Sequence, residues 1–79
     1  MRIISQGGHA DLPYERTHLC SNTENVMARC DGKEYLMGRY ATHEKAIKTM
    51  EMCRRYYDNR SSVTEPKIFR FPTDEEVRV

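Results

Sequence analysis

With 79 residues, 38% hydrophobic and 32% charged, the chain has the composition of one small domain (1–79) rather than of a disordered segment. A chain this short hides only about 60% of the surface its unfolded form exposes, so a thin core supplemented by self-association is expected. The formal charge of +1 argues against a dedicated polyanion binder and an acidic nucleic-acid mimic, so partners must be met through local patches.

No apolar run approaches the roughly 18 residues of a membrane span, and the opening MRIISQGG lacks the core of a secretory signal. A cytoplasmic setting without membrane contact is expected. Cys20, Cys30 and Cys53 show no C-x-x-C spacing, which reads as reduced, partly buried thiols.

Arg2 to Gln6 predicts a short strand whose adjacent Ile3 and Ile4 suggest burial on both sides, ended by Gly7-Gly8. Asp11-Leu12-Pro13-Tyr14 reads as a turn or extended crossing, because Pro13 fixes its own φ and biases Leu12 away from helix. Thr17 to Ser21 is a weaker strand, with a turn at Asn22-Thr23. Between Asn25 and Tyr40, Asp31-Gly32 is a favoured two-residue type I′ turn joining β-competent runs. Such a turn fixes the partners: Cys30 with Lys33, Arg29 with Glu34, Ala28 with Tyr35, Met27 with Leu36 and Val26 with Met37. One hairpin face then shows Val26, Ala28, Cys30, Tyr35 and Met37, with Glu24 and Arg39 meeting at its end. The other shows Met27, Leu36 and Tyr40 beside the Arg29 and Glu34 pair.

Thr42 to Asn59 predicts a helix, with Thr42 as N-cap and Glu44 in the first turn. At about 100° per residue, Ala46, Met50, Cys53 and Tyr57 form one stripe with Ile47 on its shoulder, the face expected to meet the sheet. Met52 and Tyr56 fall off that stripe beside Thr49. Arg60 to Pro66 is polar and turn-prone; Lys67 to Phe71 alternates as a last strand, with Phe69 and Phe71 on one face and Arg70 on the other, until Pro72. Thr73 to Val79 reads as an acidic, flexible tail. The expected fold is α+β: a small antiparallel sheet of about four to five strands with one helix on one face, in the order β-β-β-β-α-β.

Three segments carry a resemblance. MRIISQ-x-G-x-x-DLPYE (Met1 to Glu15), YATHEKAIKTMEM (Tyr40 to Met52), which is similar to Y-S-T-x-E-K-A-x-x-x-M-E-M-L, and FRFPTDEEVRV (Phe69 to Val79) resemble a group of small uncharacterised proteins from prophages and mobile elements of Firmicutes. The chain departs from that pattern at Gly7, where an acidic residue is expected, at Ala41 in place of Ser and at Cys53 in place of Leu. The resemblance implies a phage or mobile-element context and a fold, and no mechanism.

Residues suited to chemistry are sparse. Zinc sites declare themselves by two close ligand pairs, and His18-x-Cys20 is the one pair here, so neither a metal nor another cofactor is expected. No histidine is placed beside a cysteine to activate it, and Gly7-Gly8 lacks the Lys-Ser/Thr element of a phosphate loop. Arg54-Arg55-Tyr56-Tyr57 with Arg60, Lys67 and Arg70 is the best anion-binding candidate, against the plainer role of cations at a helix C-terminus. Met27, Leu36 and Tyr40, and Met52 with Tyr56, are candidate interface residues, unless a terminal segment folds over them as core.

The candidate binding residues are therefore Arg29, Leu36, Tyr40, Met52, Arg54, Arg55 and Tyr56, with no catalytic set. The expected function is a non-catalytic phage or prophage protein inhibiting a bacterial anti-phage defence system by binding a defence protein of the host or sequestering its nucleotide signal. A homo-oligomer is expected. The alternative is a small nucleic-acid-binding or regulatory accessory protein of a mobile element, using Arg29, Arg54, Arg55 and Lys67 on phosphates.

Overall fold

Asp31 and Gly32 both have positive φ, +53° and +80°, as a type I′ turn requires. In the computed structural model, which describes residues 1–59 and 67–78, this turn joins β4 (Asn25–Cys30) to β5 (Lys33–Arg39). The expected pairs form from Cys30–Lys33 through Met27–Leu36. A β-bulge then leaves Met37 unpaired, with Val26 opposite Gly38 and Asn25 opposite Arg39. The expected Val26–Met37 pair is thus replaced, and Arg39 meets Asn25 rather than Glu24.

An extra residue in one strand reverses the face that later side chains take. Tyr40, expected on the outer face, turns inward to 2% exposure and its hydroxyl donates to Pro72 O at 2.9 Å. Gly38 belongs to the same adjustment. A Cβ there would stand 2.7 Å from both Cε2 and Oη of Tyr40.

Thr23, at φ +57°, turns β3 (His18–Asn22) antiparallel onto β4 and completes a β3-β4-β5 sheet. A second sheet has the order β2-β1-β6, from β1 (Arg2–Ile4), β2 (Asp11–Pro13) and β6 (Ile68–Arg70). The fold is α+β as expected. Its described strands number six in two three-stranded sheets, rather than four or five in one antiparallel sheet. Two local causes account for the difference. Gly8, at φ +77°, and the Ser5 N to Ala10 O bond (2.9 Å) double the chain back, so the segment read as a crossing pairs with β1 and ends at Pro13. The helix then carries the chain across, so that β6 enters beside β1 in the same direction, Ile3 opposite Phe69.

Gln6 ties the two sheets together. Its backbone N–H donates to Met37 O (2.8 Å), its Oε1 accepts from Arg39 N (2.9 Å), and its Nε2 donates to Pro72 O (2.9 Å) and Arg39 O (3.3 Å).

The helix α1 (His43–Asp58) starts as predicted, with the Thr42 hydroxyl accepting from Lys45 N at 3.2 Å. Being flanked by contacts from both sheets, it buries a wider arc than a single stripe. Ala46, Thr49 and Cys53 lie in the core and Met50 and Met52 pack against it, whereas Ile47, expected on the covered shoulder, is 36% exposed. Thr49 satisfies its buried hydroxyl by donating to Lys45 O at 2.9 Å. The core joins Ile3, Leu12, Phe69 and Phe71 to Val26, Ala28 and Met37.

Within the segment expected to be a flexible tail, the described residues Thr73 to Val77 are packed. Asp74–Glu76 forms a 3-10 turn, Asp74 Oδ1 accepts from Ala41 N at 2.6 Å, and Lys45 Nζ reaches Asp74 Oδ2 at 3.2 Å. Val77, only 2% exposed, supplies the apolar anchor that the acidic composition conceals. The polar stretch from Arg60 to Pro66 lies outside the described residues.

Candidate binding site

Pro13 ends β2 and leads into one 3-10 turn, Tyr14–Arg16, which sets Tyr14 against the C-terminal half of α1. Its ring meets that of Tyr57 at 4.9 Å between centroids and a 47° tilt. Leu19 from β3 and Met50 from α1 line the space beside them and Glu15 and Thr17 complete it, giving an open cleft of about 420 Å³. That volume falls within the range of roughly 300–1,000 Å³ common for small-ligand sites.

The rim is tied down. Thr17 donates its hydroxyl to Pro13 O at 2.6 Å, and Glu15 is paired at 2.6 Å with the Met1 amino group. Burial pushes the Tyr14 phenol up from its ordinary value; Cys53, Asp58 and Tyr57 add to this and the Arg54 guanidinium opposes it. The phenol is therefore a neutral hydrogen-bond donor near pH 7. Together the cleft offers two tyrosine rings, an apolar floor and the Glu15 carboxylate, already paired with the Met1 amino group. The exposed Arg54, three residues before Tyr57 on the same side of α1, stands outside the lining. The rings and the neighbouring Arg54 suit a flat ring joined to an anionic group, since rings stack on tyrosine and guanidinium pairs with phosphate.

The residues singled out by sequence do not form one site. Arg29 and Leu36 lie on the outer face of the β3-β4-β5 sheet, where Arg29 pairs with Glu34 at 3.1 Å and Leu36 is 44% exposed. Tyr40 is core, so it is withdrawn from any surface role. The Arg54 to Tyr57 run is divided by the helix itself, because successive residues point about 100° apart. Arg54 and Tyr57 serve the Tyr14 side and Arg55 is exposed. Tyr56, 42% exposed, goes to β6, its ring 5.8 Å from that of Phe69 and under Lys67 Nζ at 4.8 Å. Met52, one turn earlier, packs against the core. Met52 thus packs inward, whereas Tyr56 touches β6 with one side of its ring and stays exposed on the other. Arg60 lies outside the described residues.

The four cations assigned to a phosphate track are scattered by the same geometry. Arg29 is on the outer sheet face, Arg54 and Arg55 point different ways from α1, and Lys67 Nζ donates to Tyr56 O at 3.2 Å. Of the thiols, Cys20 is exposed while Cys30 and Cys53 are buried, and burial pushes Cys53 up to about 12. Among the described residues, no three His, Cys, Asp or Glu side chains come together in a way that could hold a metal ion, and no helix is long and apolar enough to cross a membrane.

Sequence reasoning missed Tyr14, Glu15, Thr17, Leu19 and Met50 as cleft residues. The Pro13-Tyr14 step was the available signal, but its approach to Tyr57 is set by the packing of distant elements. No family model, curated protein or solved structure matches the chain.

Proposed function

We propose that this chain is a non-catalytic binding protein of a phage or prophage that blocks a bacterial anti-phage defence system, and that its ligand is the system's nucleotide signal. The supporting observation is the cleft beside the Tyr14–Tyr57 pair, with the exposed Arg54 three residues before Tyr57 on the same side of α1. A base stacks on the exposed aromatic surface and a phosphate meets the guanidinium, while the phenol donates without ionising. The buried Cys53 thiol, held protonated, offers no nucleophile near the cleft.

Isothermal titration of the folded protein with cyclic dinucleotides and ADP-ribose-type nucleotides tests the reading. Binding by one class is expected, weakened about tenfold or more in Tyr57→Ala and in Arg54→Ala, as loss of a stacking or phosphate contact predicts. A parallel pulldown from host lysate reads the defence-protein arm. An empty nucleotide panel overturns the nucleotide assignment, a retained defence protein then pointing to a protein target; two empty results overturn the anti-defence reading as a whole.

A further inference from the structure

The outer face of the β3-β4-β5 sheet is ordered in rows. Register places Cys20 opposite Met27 and Met27 opposite Leu36, a straight weakly polar row across all three strands. Two residues along the strands on one side lies the row His18, Arg29, Glu34; on the other lies Asn22, Asn25, Arg39. Arg39 joins that outer row only because the bulge at Met37 reverses the phase of β5. Cys20, His18, Arg29, Glu34, Leu36 and Arg39 are all exposed, whereas Val26 and Ala28 on the opposite face are fully buried.

We propose that this face is the contact between two copies of the chain, related by a two-fold axis running along the Cys20–Met27–Leu36 row. Such an axis sets each residue of the row against itself and turns the charged row over the far row of the other copy, strand for strand. Glu34, already paired with Arg29 of its own chain, then also meets Arg39 of the partner subunit, and Arg39 meets the partner's Glu34. Arg29 faces Asn25 of the partner subunit, and no like charges are opposed. The other face-to-face two-fold, along the strands, would stack Arg29 on the partner's Arg29. Juxtaposed like charges disfavour that arrangement, so charge selects the first axis. Facing sheets pack aligned to within about 30°, which keeps the rows in register near the axis.

Three strands about 4.8 Å apart and five residues long give roughly 250 Å² of flat face. Standard interfaces bury about 800 Å² per partner, so the dimer is weak and concentration-dependent. Its face lies opposite the helix side that carries the Tyr14–Tyr57 cleft, and the proposal does not rest on nucleotide binding.

Sedimentation velocity across protein concentrations from about 10 µM to about 1 mM tests it, the range suited to a weak interface. The sedimentation coefficient is expected to climb from monomer towards dimer. Leu36→Asp is expected to hold the protein monomeric throughout. Glu34→Arg and Arg39→Glu should each weaken the dimer by about tenfold or more, and the double variant E34R/R39E should recover it, because the swap restores both pairs. Circular dichroism of each variant confirms the fold, which exposed positions should leave intact. As a second readout, a short bismaleimide should link Cys20 to Cys20 of the partner subunit, while air oxidation should not, since sheets about 10 Å apart exceed disulfide reach. A wild-type monomer at every concentration, a dimer indifferent to Leu36→Asp, or a double swap no better than its single changes would each overturn the proposal.

Discussion

Gly38→Ala tests the inner packing most directly. The new methyl carbon would stand 2.7 Å from Tyr40 Cε2 and Oη and 2.9 Å from Cζ, closer than a carbon can rest against a ring. The ring has little room to retreat: Tyr40 is 2% exposed and its hydroxyl is held by Pro72 O. Overpacking of this kind costs about 1–3 kcal/mol, and the stiffer unfolded chain of alanine offsets about 0.4–1 kcal/mol, leaving a net loss of about 1–2 kcal/mol. For a domain of this size that lowers Tm by about 5–15 °C. Urea unfolding followed by circular dichroism should show a lower midpoint with an unchanged slope. In a Tyr40→Leu background the same Gly38→Ala change should cost almost nothing, because the clashing ring edge is gone. An unchanged midpoint in the single variant, or an equal loss in both backgrounds, refutes this account of Gly38.

Thiol titration with Ellman's reagent should find Cys20 fast and Cys30 and Cys53 protected until the protein unfolds, since Cys53 is buried with its pKa pushed up to about 12; two or more fast thiols in the native protein would contradict that packing. The Asp74 carboxyl is held below its ordinary value by the Ala41 N–H and by Lys45, so its contribution to stability is present above about pH 4 and lost as pH falls through the depressed folded value. Asp74→Asn should therefore lower Tm at pH 7 and lose part of the acid limb of the stability profile; superimposable profiles would rule the contact out as a contributor. Gln6→Ala removes the side-chain bonds to Arg39 and Pro72 and should cost about 1–2 kcal/mol, with faster amide exchange at Arg39 as the local sign.

Local chemistry was legible in the sequence wherever a short-range rule decides the outcome. Asp31-Gly32 fixed its turn and the first pairs of the hairpin, Thr42 its cap, and the alternation around Phe69 its strand. The bulge at Met37 was not legible, because it follows from seating Tyr40 under Pro72, a residue far along the chain. That one residue of slip moved Tyr40 from the expected surface into the core and carried Arg39 the other way. The helix face was misjudged for a related reason: a stripe centred on Ala46, Met50 and Tyr57 assumes one sheet beneath it, and contact with a second sheet brings in Thr49, Met52 and Tyr56. Of the candidate site, Arg54 and Tyr57 were visible as helix-end residues, but their association with Tyr14 depends on where the second sheet ends.

Pairing Ile3 with Phe69 makes the first strand wait for the last. Ribosomes add roughly 5–20 residues per second, so a nascent β1 spends several seconds without its parallel neighbour while the hairpin and helix are still being made. Contacts so distant in sequence also close slowly, because the loop entropy must be overcome before any contact offsets it. Folding should accordingly proceed from the Asp31-Gly32 hairpin outwards, with β1 and β6 docking last. During that interval Ile3 and Ile4 present an unpaired edge, and the interval of synthesis, more than the finished molecule, is when this chain is most exposed to aggregation.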